Sequence, residues 1–255
     1  MKKVTAFIGS ARKKATYHAL QEFERNLKEY DEIAFKYVFL SDYNLEFCRG
    51  CCQCFDKGEE FCPLRDDRDI LLEKIEYSDD VIFASPSYAH HVSGRMKNFL
   101  DRLAFIYHRP KFFDKTFTVI ITQGVPLEGK IQKYLEDAGA NLGFQVTKGC
   151  CLWTMDPMSE SQEKDLIHKV KECSDRFYKN LIRENPPVPS FFRLMLFRTT
   201  RSGLKYKDEK YYDYCYFKEK GWFESDYYYE TFLGPIKKFS GYVFDFLGQK
   251  IGKSM

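Results

Sequence analysis

The sequence lacks a long apolar run: no segment approaches the about 18 residues that a helix needs to cross a bilayer. It also lacks a large net charge, because 40 Lys and Arg residues against 37 Asp and Glu residues give only +3. This balance argues against a dedicated nucleic-acid-binding protein, which usually carries a strongly basic surface. The composition, 44% hydrophobic and 30% charged, supports a packed core and argues against global disorder.

The features of a secreted protein are missing as well. The first apolar stretch, residues 4–9, meets the basic residues 12–14 too soon to be a secretory signal. The nine cysteines are an odd number, and five of them fall within residues 48–62. Such a set is a poor disulfide framework, whereas a tight cluster in a reducing compartment indicates metal or redox chemistry. We therefore expect a cytoplasmic protein.

Short apolar segments typical of buried strands alternate with segments of helical periodicity through residues 1–184. The predicted strands are residues 4–8, 33–40, 80–84, 117–122 and 144–152. The predicted helices are residues 16–30, 66–77, 94–105, 126–139 and 158–183. This rhythm predicts an α/β domain, a five-stranded parallel sheet with helices on both faces. It fits the flavodoxin-like, doubly wound order 2-1-3-4-5, whose ligands bind at the carboxyl ends of strands one, three and four.

The segment after predicted strand one, residues 9–16, carries candidate anion-binding groups. Ser10 and Thr16 supply hydroxyls at a predicted helix start, where free backbone N–H groups favour anions, and Arg12 adds a guanidinium. The G-x-G-x-x-G spacing of a dinucleotide-binding turn is absent, and so is the G-K-[ST] of a Walker loop. Two interpretations stay open, a site for one phosphate monoester and an ordinary strand-to-helix turn with solvated charges.

Polar side chains also follow predicted strands three and four. Residues 85–97 read SPSYAHHVSGRMK, in which Tyr88 is placed to pack against a flat aromatic ligand. The pair His90 and His91 suggests a metal, but adjacent histidines in an extended loop point apart and no carboxylate pattern accompanies them. Residues 122–126, TQGVP, offer backbone donors and a glycine that permits close approach. All three segments are expected at one edge of the sheet.

Together these segments resemble the flavodoxin-like NAD(P)H-dependent FMN reductases, especially their iron–sulfur flavoprotein branch. The resemblance covers residues 1–184 and lies in the G-S-x-R-x-x-x-T loop (9–16), the S-P-x-Y-x-x-x-V-S-G-x-M-K stretch (85–97) and a cysteine-rich loop. It implies FMN, with its phosphate on the first loop and its ring across the second and third segments. The cofactor-binding residues that it indicates are Ser10, Arg12, Thr16, Tyr17, Pro86, Ser87, Tyr88, Ala89, His90, Thr122, Gln123 and Gly124.

The resemblance also implies an activity and partners. The activity is that of an FMN-dependent oxidoreductase or electron-transfer flavoprotein linked to NAD(P)H or to a redox protein such as ferredoxin. Because the flavin carries the difficult chemistry, no essential acid or base side chain is expected. A homodimer or homotetramer is expected, in which a neighbour helps to close the flavin site. Two positions depart from the family pattern: Ala15 stands where Asn is common, so one phosphate hydrogen bond is expected to be missing, and Arg95 stands where Gln is common.

The cysteine-rich loop, residues 41–65, carries a candidate metal site. Cys48, Cys51, Cys54 and Cys62 follow the spacing C-x2-C-x2-C-x7-C, and Pro63 follows the last cysteine as in the bacterial ferredoxin motif. The resembled branch binds a [4Fe–4S] cluster through a compact motif of this kind. Four thiolates also suit tetrahedral zinc, and free thiols or a local disulfide are the third alternative. With zinc and no flavin, the chain would be a non-enzymatic binding or sensing module.

The C-terminal extension, residues 185–255, is unusually aromatic. Residues 190–255 contain 19 of the 44 aromatic residues. Residues 191–198 and 236–251 show helical periodicity, with lysines beside the apolar positions of the second segment, as in a helix that lies on a surface. We expect the extension to pack on the sheet domain or to build an oligomer interface. Contact with a membrane surface is the alternative.

Overall fold

The computed structural model describes residues 1–125 and 129–254. The chain divides into two compact units. The first consists of Met1–Arg49 and Leu64–Glu184, and the second consists of Gly50–Pro63 and the chain from Asn185 onward. Residues 50–63, which carry most of the cysteine-rich loop, therefore belong to the same unit as the C-terminal extension.

The strands all lie in the first unit and the helices in both. The strands are β1 (Lys2–Ile8), β2 (Ile33–Phe39), β3 (Asp80–Tyr88), β4 (His91–Val92), β5 (Thr116–Gln123), β6 (Gln145–Val146) and β7 (Cys150–Trp153). The helices of the first unit are α1 (Ala15–Lys28), α3 (Arg68–Glu76), α4 (Gly94–Arg102), α5 (Ala104–His108), α6 (Lys130–Asn141) and α7 (Glu160–Leu181). Those of the second unit are α2 (Gln53–Asp56), α8 (Phe191–Leu204), α9 (Tyr212–Glu219) and α10 (Pro235–Ser254).

The sheet confirms the predicted flavodoxin-like order. Parallel strands are arranged β2-β1-β3-β5, and both β6 and β7 pair with β5 in parallel. The predicted fifth strand is thus present but split. The reason is Gly149, at which a Cβ atom would lie 2.2 Å from the carbonyl oxygen of Val119. Its N–H donates to Glu136 Oε1 (2.9 Å), so the ladder is interrupted at this residue.

Several boundaries differ from the sequence expectation. Strand β3 continues past Ala84 to Tyr88, where it turns back and pairs antiparallel with the short β4. The predicted helix 94–105 ends at Arg102, and α5 follows it. Helix α6 begins at Lys130, and the predicted start at Pro126 lies outside the described residues.

Both faces of the sheet are covered, as a doubly wound fold requires. Along β1, alternate residues Val4, Ala6 and Ile8 join a buried cluster with apolar side chains of α1 and α7. On the other face Phe7 stacks on Phe99 of α4, with ring centroids 5.4 Å apart. The carboxyl ends of the buried central strands are therefore held rigidly at one edge.

The second unit is a helical assembly with a close-packed helix pair. Helix α8 runs beside α10, and Gly248 and Gly252 of α10 bring the two backbones together: a Cβ at either position would lie within 2.6 Å of a backbone oxygen of α8. Asp245 accepts hydrogen bonds from Arg198 Nη2 and Arg201 Nη2, both at 2.6 Å. In the part of the chain that the structure describes, no helix is both long and apolar enough to cross a membrane.

Candidate active site

The three predicted segments meet around one cavity of about 170 Å³ at the carboxyl edge of the sheet. Nine of the residues predicted to bind a cofactor line it: Ser10, Arg12, Thr16, Pro86, Ser87, Tyr88, Thr122, Gln123 and Gly124. They come from the turn after β1, from the end of β3 and from the end of β5. The sheet order therefore brings together side chains that are far apart in the sequence.

One wall of this cavity carries the groups expected of an anion site. Helix α1 begins at Ala15 without a side-chain cap, so the N–H groups of its first turn have no partner within the helix. Ser10 and Thr16 are buried beside it, and Arg12 lies exposed on the turn. Ser10 Oγ accepts from the Arg12 N–H at 3.1 Å, which fixes the turn. Helix N–H groups, hydroxyls and a guanidinium are the donors that phosphate oxygens require.

The first segment packs closely against the second where the backbone of Gly9 meets Ser93. Ser93 Oγ donates to the Gly9 carbonyl (2.8 Å) and accepts from the Met96 N–H (3.2 Å), so one hydroxyl also caps α4. A Cβ on Gly9 would lie 2.5 Å from Ser93 Oγ and 3.0 Å from Met96 Cβ. Glycine is therefore required here by packing.

The third segment is fixed by the chain that follows β7. Thr154 N–H donates to the Gln123 carbonyl (2.9 Å), and Trp153 Nε1 donates to the Gly124 carbonyl (3.0 Å). Thr154, Met155 and Asp156 themselves line the cavity. These three residues were not among the predicted cofactor-binding residues, although their position directly after the fifth strand was the signal that could have identified them.

Charge at the cavity mouth is partly compensated. Lys14 lines the cavity and forms an ion pair with Asp156. The hydrogen bond from Lys14, followed by its charge, lowers the pKa of the Asp156 carboxyl. Both side chains are exposed, so this pair contributes little to stability. It does place a carboxylate and an ammonium group on the rim beside Arg12.

Three predicted cofactor residues do not line the cavity. Tyr17 lies half-buried against the rings of Tyr37 and Phe39, with ring centroids 5.1 and 5.6 Å away. Ala89 and His90 form the exposed tip between β3 and β4, with φ angles of 49° and 60°. This tip lies beyond Tyr88, which does line the cavity and is 45% exposed.

The cavity fits FMN in its chemistry. A phosphate monoester would find the uncapped start of α1, the hydroxyls of Ser10 and Thr16, and Arg12. Tyr88 and Met155, each about half exposed, supply apolar surface for a flat ring. Gly124 leaves its surroundings open, since a Cβ there would meet nothing within 4 Å. Among the described residues, no side chain therefore fills the space beside Gly124 at the end of β5.

Polar contacts within the first unit hold together the two ends of the cysteine-rich loop. Asp66 and Arg102 form a fully buried ion pair, and Asp66 Oδ2 also accepts from the Glu46 N–H at 2.8 Å. Asn44 and Asp67 exchange hydrogen bonds of 2.7 and 3.0 Å. The loop therefore leaves and rejoins the sheet domain at neighbouring points.

None of the four predicted metal ligands is in a disulfide. Cys48 and Cys51 are exposed, whereas Cys54 and Cys62 are half-buried. Over residues 1–125 and 129–254, no group of three or more His, Cys, Asp or Glu side chains is arranged to hold a metal. The donor chemistry of the four cysteines thus suits a cluster, but their arrangement is not that of an assembled site.

Fold and cavity together define the class of the protein: a flavodoxin-like α/β protein with a polar cavity at the switch point of the sheet. The chain belongs to the NADPH-dependent FMN reductase family, whose model matches residues 2–155, more than half of the sequence. This confirms the predicted family and with it a flavin-dependent oxidoreductase whose cofactor is FMN and whose partner is a nicotinamide.

Relatives support the predicted branch of the family. The chain is 33% identical over 159 residues to an iron-sulfur flavoprotein of Archaeoglobus fulgidus, covering 58% of this chain and 70% of the relative. It is 26% identical over 217 residues to an iron-sulfur flavoprotein of Clostridioides difficile, covering 82% and 93%. The predicted iron–sulfur flavoprotein branch is therefore confirmed.

Solved structures agree on the fold. The azoreductase AzrA superposes with a TM-score of 0.53 at 14% identity, covering 69% of this chain and 99% of its own. An oxidoreductase from Corynebacterium diphtheriae superposes with a TM-score of 0.55 at 12% identity, covering 72% and 99%. At such identities the likeness shows the flavodoxin-like fold alone.

Proposed function

We propose that the cavity at the carboxyl ends of β1, β3 and β5 binds FMN, with the phosphate on residues 10–16 and the ring beside Tyr88 and residues 122–124. The observation that carries this proposal is the burial of the Ser10 and Thr16 hydroxyls at the uncapped start of α1, next to Arg12. Buried hydroxyls at an open helix N-terminus form a site for a group rich in acceptor oxygens.

Each part of the cavity has a separate task in this proposal. The start of α1 and Arg12 offset the negative charge of the phosphate, and Ser10 and Thr16 orient it. Tyr88 and Met155 shield one side of the ring from water, while the carbonyls of residues 123 and 124, fixed by Thr154 and Trp153, keep the third segment in place. When bound, FMN supplies hydride acceptance from the nicotinamide and one-electron transfer.

The test of the phosphate site is flavin retention by Arg12→Ala and Thr16→Ala variants. A hydrogen bond to a charged group is worth roughly 1.5–3 kcal/mol, so each variant should bind FMN about 10- to 150-fold more weakly. Lys13→Ala is the matched control, because Lys13 is the neighbouring exposed cation and does not line the cavity. Unchanged FMN affinity in the Arg12 and Thr16 variants would refute the placement of the phosphate.

As a second part of the proposal, Cys48, Cys51, Cys54 and Cys62 ligate a [4Fe–4S] cluster. Their ferredoxin-like spacing supports it, as do the iron-sulfur flavoprotein names of the relatives. Anaerobically purified protein should contain iron and sulfide, and Cys54→Ser should lose both while it retains FMN. Cys52→Ser is the control, since Cys52 lies in the same loop outside the motif. If anaerobically purified protein contains zinc and no iron, the four cysteines bind a structural zinc ion instead of a cluster.

The partners are proposed on the same basis. A one-electron acceptor such as ferredoxin suits a flavin that is reduced by a hydride, because the flavin delivers electrons singly. The half-exposed Tyr88 ring and Met155 thioether at the cavity rim favour a homodimer or homotetramer in which a neighbour covers them. Sedimentation velocity of the FMN-loaded protein tests this arrangement, which a monomer at micromolar concentration would contradict. A cytoplasmic location is proposed from the sequence, because a tight cluster of five cysteines within residues 48–62 suits metal or redox chemistry in a reducing compartment.

A further inference from the structure

Helix α10 has two chemically distinct faces. One face packs on α8 through Gly241, Gly248 and Gly252, which are buried, and through Asp245. These four positions recur every three or four residues and so form one stripe along the helix. The contacts of α10 with α8 are made by this stripe, and the opposite side of the helix does not pack on α8.

The opposite face is apolar and open to solvent. Its large side chains are between 43% and 73% exposed: Ile236, Phe239, Val243, Phe246, Leu247 and Ile251. Scattered exposed apolar residues are ordinary on a protein surface, but α10 carries seven large ones, these six and Tyr242, and so many on one helix form a patch. Such a patch indicates a surface that binds another molecule or a membrane.

The charges on α8 and α10 are almost all positive. Helices α8 and α10 together contain seven Arg and Lys residues and one acidic residue, Asp245. Asp245 is occupied by Arg198, Arg201 and Ser202. The exposed lysines Lys238, Lys250 and Lys253 therefore have no acidic neighbour on α10, and Lys250 Nζ lies 4.7 Å from the ring of Phe246. Apolar side chains flanked by lysines are typical of helices that lie on anionic lipid.

We propose that α10 docks this face onto an anionic lipid surface, with its axis in the plane of the headgroups. The lysines would contact lipid phosphates while the phenylalanine and isoleucine side chains enter the acyl boundary. A second copy of the chain is the less favourable occupant. A two-fold contact through this face would set lysine patches against each other, and α10 offers no exposed carboxylate to neutralise them. Helix α10 is not apolar enough to span a bilayer, so we expect it to lie on the surface and not to cross the membrane.

The experiment is co-sedimentation of the full-length, FMN-loaded protein with lipid vesicles. Vesicles of mixed phosphatidylserine and phosphatidylcholine should bind the protein, and pure phosphatidylcholine vesicles should bind it much less. High salt should weaken the binding, because it screens the lysines. No sedimentation with the mixed vesicles would overturn the proposal.

Variants separate this face from nonspecific adhesion. Phe239→Ser with Phe246→Ser should lower the affinity for mixed vesicles at least about tenfold, as should Lys238→Glu with Lys250→Glu. Ile70→Ser with Val188→Ser is the matched control, because both residues are exposed apolar positions outside α10. A normal flavin spectrum and far-ultraviolet circular dichroism confirm folding. The proposal is refuted if the Phe239/Phe246 variant binds mixed vesicles as tightly as the wild type does. It is also refuted if the wild type forms a dimer without lipid and this variant does not, because the face would then be a dimer interface.

Discussion

The hydroxyl oxygens of Thr16 and Thr122 lie 2.7 Å apart, and both side chains are buried. Thr16 belongs to the first turn of α1 and Thr122 to the end of β5, so this hydrogen bond joins two of the three segments around the cavity. Each threonine carries one O–H donor, and only one of the two protons can serve the contact between them. The pair therefore retains one donor for a third group, and a phosphate oxygen in the cavity is suited to accept it.

The first prediction separates the two threonines. Thr122→Val removes the partner of Thr16 and should weaken FMN binding modestly, by about the 0.5–1.5 kcal/mol of one neutral hydrogen bond. Thr16→Val removes a direct phosphate partner as well and should weaken binding more, whereas Thr16→Ser should bind nearly as the wild type does. Titration of apoprotein with FMN, followed by flavin fluorescence, gives the three affinities. A larger loss in Thr122→Val than in Thr16→Val would contradict this assignment of roles.

The second prediction concerns the close contact at Gly9. Gly9→Ala should destabilise the fold by about 1–3 kcal/mol, because its Cβ would overlap Ser93 Oγ and crowd Met96. Removing the obstacle should reduce this cost, so Gly9→Ala should be less harmful in a Ser93→Ala background than in the wild type. Urea unfolding of the four proteins measures the coupling. Additive effects of the two substitutions would show that Ser93 is not the group that excludes a side chain at position 9.

The third prediction is a pH dependence that comes from Asp80. Burial raises the pKa of this carboxyl to about 6, against the opposing hydrogen bond that it accepts from the Thr116 N–H. Between an ordinary pKa near 3.9 and about pH 6, the unfolded chain releases the proton and the folded chain keeps it. Stability should therefore fall as the pH rises through this window, by up to about 3 kcal/mol. Asp80→Asn should lack this decline in urea unfolding curves measured from pH 4 to pH 7.

Much of the sheet could be predicted because each strand and helix is indicated by the pattern of its own residues. The apolar segments of β1 and β5 and the helical periodicity of α1 and α7 identify themselves in the sequence, and their alternation fixes the parallel order. The split between β6 and β7 could not be predicted, since it depends on the contact of Gly149 with the Val119 carbonyl across the sheet. Nor could the turn before β4, where Ala89 and His90 adopt positive φ angles that favour glycine.

The segments that form the candidate site could be predicted from the sequence, but not all of the side chains that line it could be. The rule that ligands bind at the carboxyl ends of parallel strands identified the turns that contain Arg12, Tyr88 and Thr122. It could not give the direction of Tyr17, which follows Thr16 in sequence yet packs on Tyr37. It also could not place Met155 and Asp156, because the exact end of the fifth strand was not fixed by its apolar pattern.

The last prediction concerns the buried pair of Asp66 and Arg102, which closes the base of the cysteine-rich loop. Although burial opposes ionisation, the hydrogen bonds from Arg102 and from the backbone of Glu46 and Arg68 lower the pKa of Asp66. Arg102→Met leaves a buried carboxylate without its cation and should destabilise the protein by about 3–5 kcal/mol. Asp66→Leu combined with Arg102→Met should cost less, because both charges are then removed.

The pH dependence of this pair has the opposite sign to that of Asp80. A carboxyl whose folded pKa is lowered stabilises the fold above its ordinary pKa near 3.9, and this contribution disappears as the pH falls below that value. The stability difference between wild type and Arg102→Met should therefore be largest at neutral pH and shrink under acid. Limited proteolysis adds a local measure: cleavage within residues 47–63 should be faster in Arg102→Met than in wild type, because the Glu46 carbonyl loses the 2.9 Å hydrogen bond from Arg102 Nη1. Equal cleavage rates in the two proteins would show that the loop is ordered by contacts other than this ion pair.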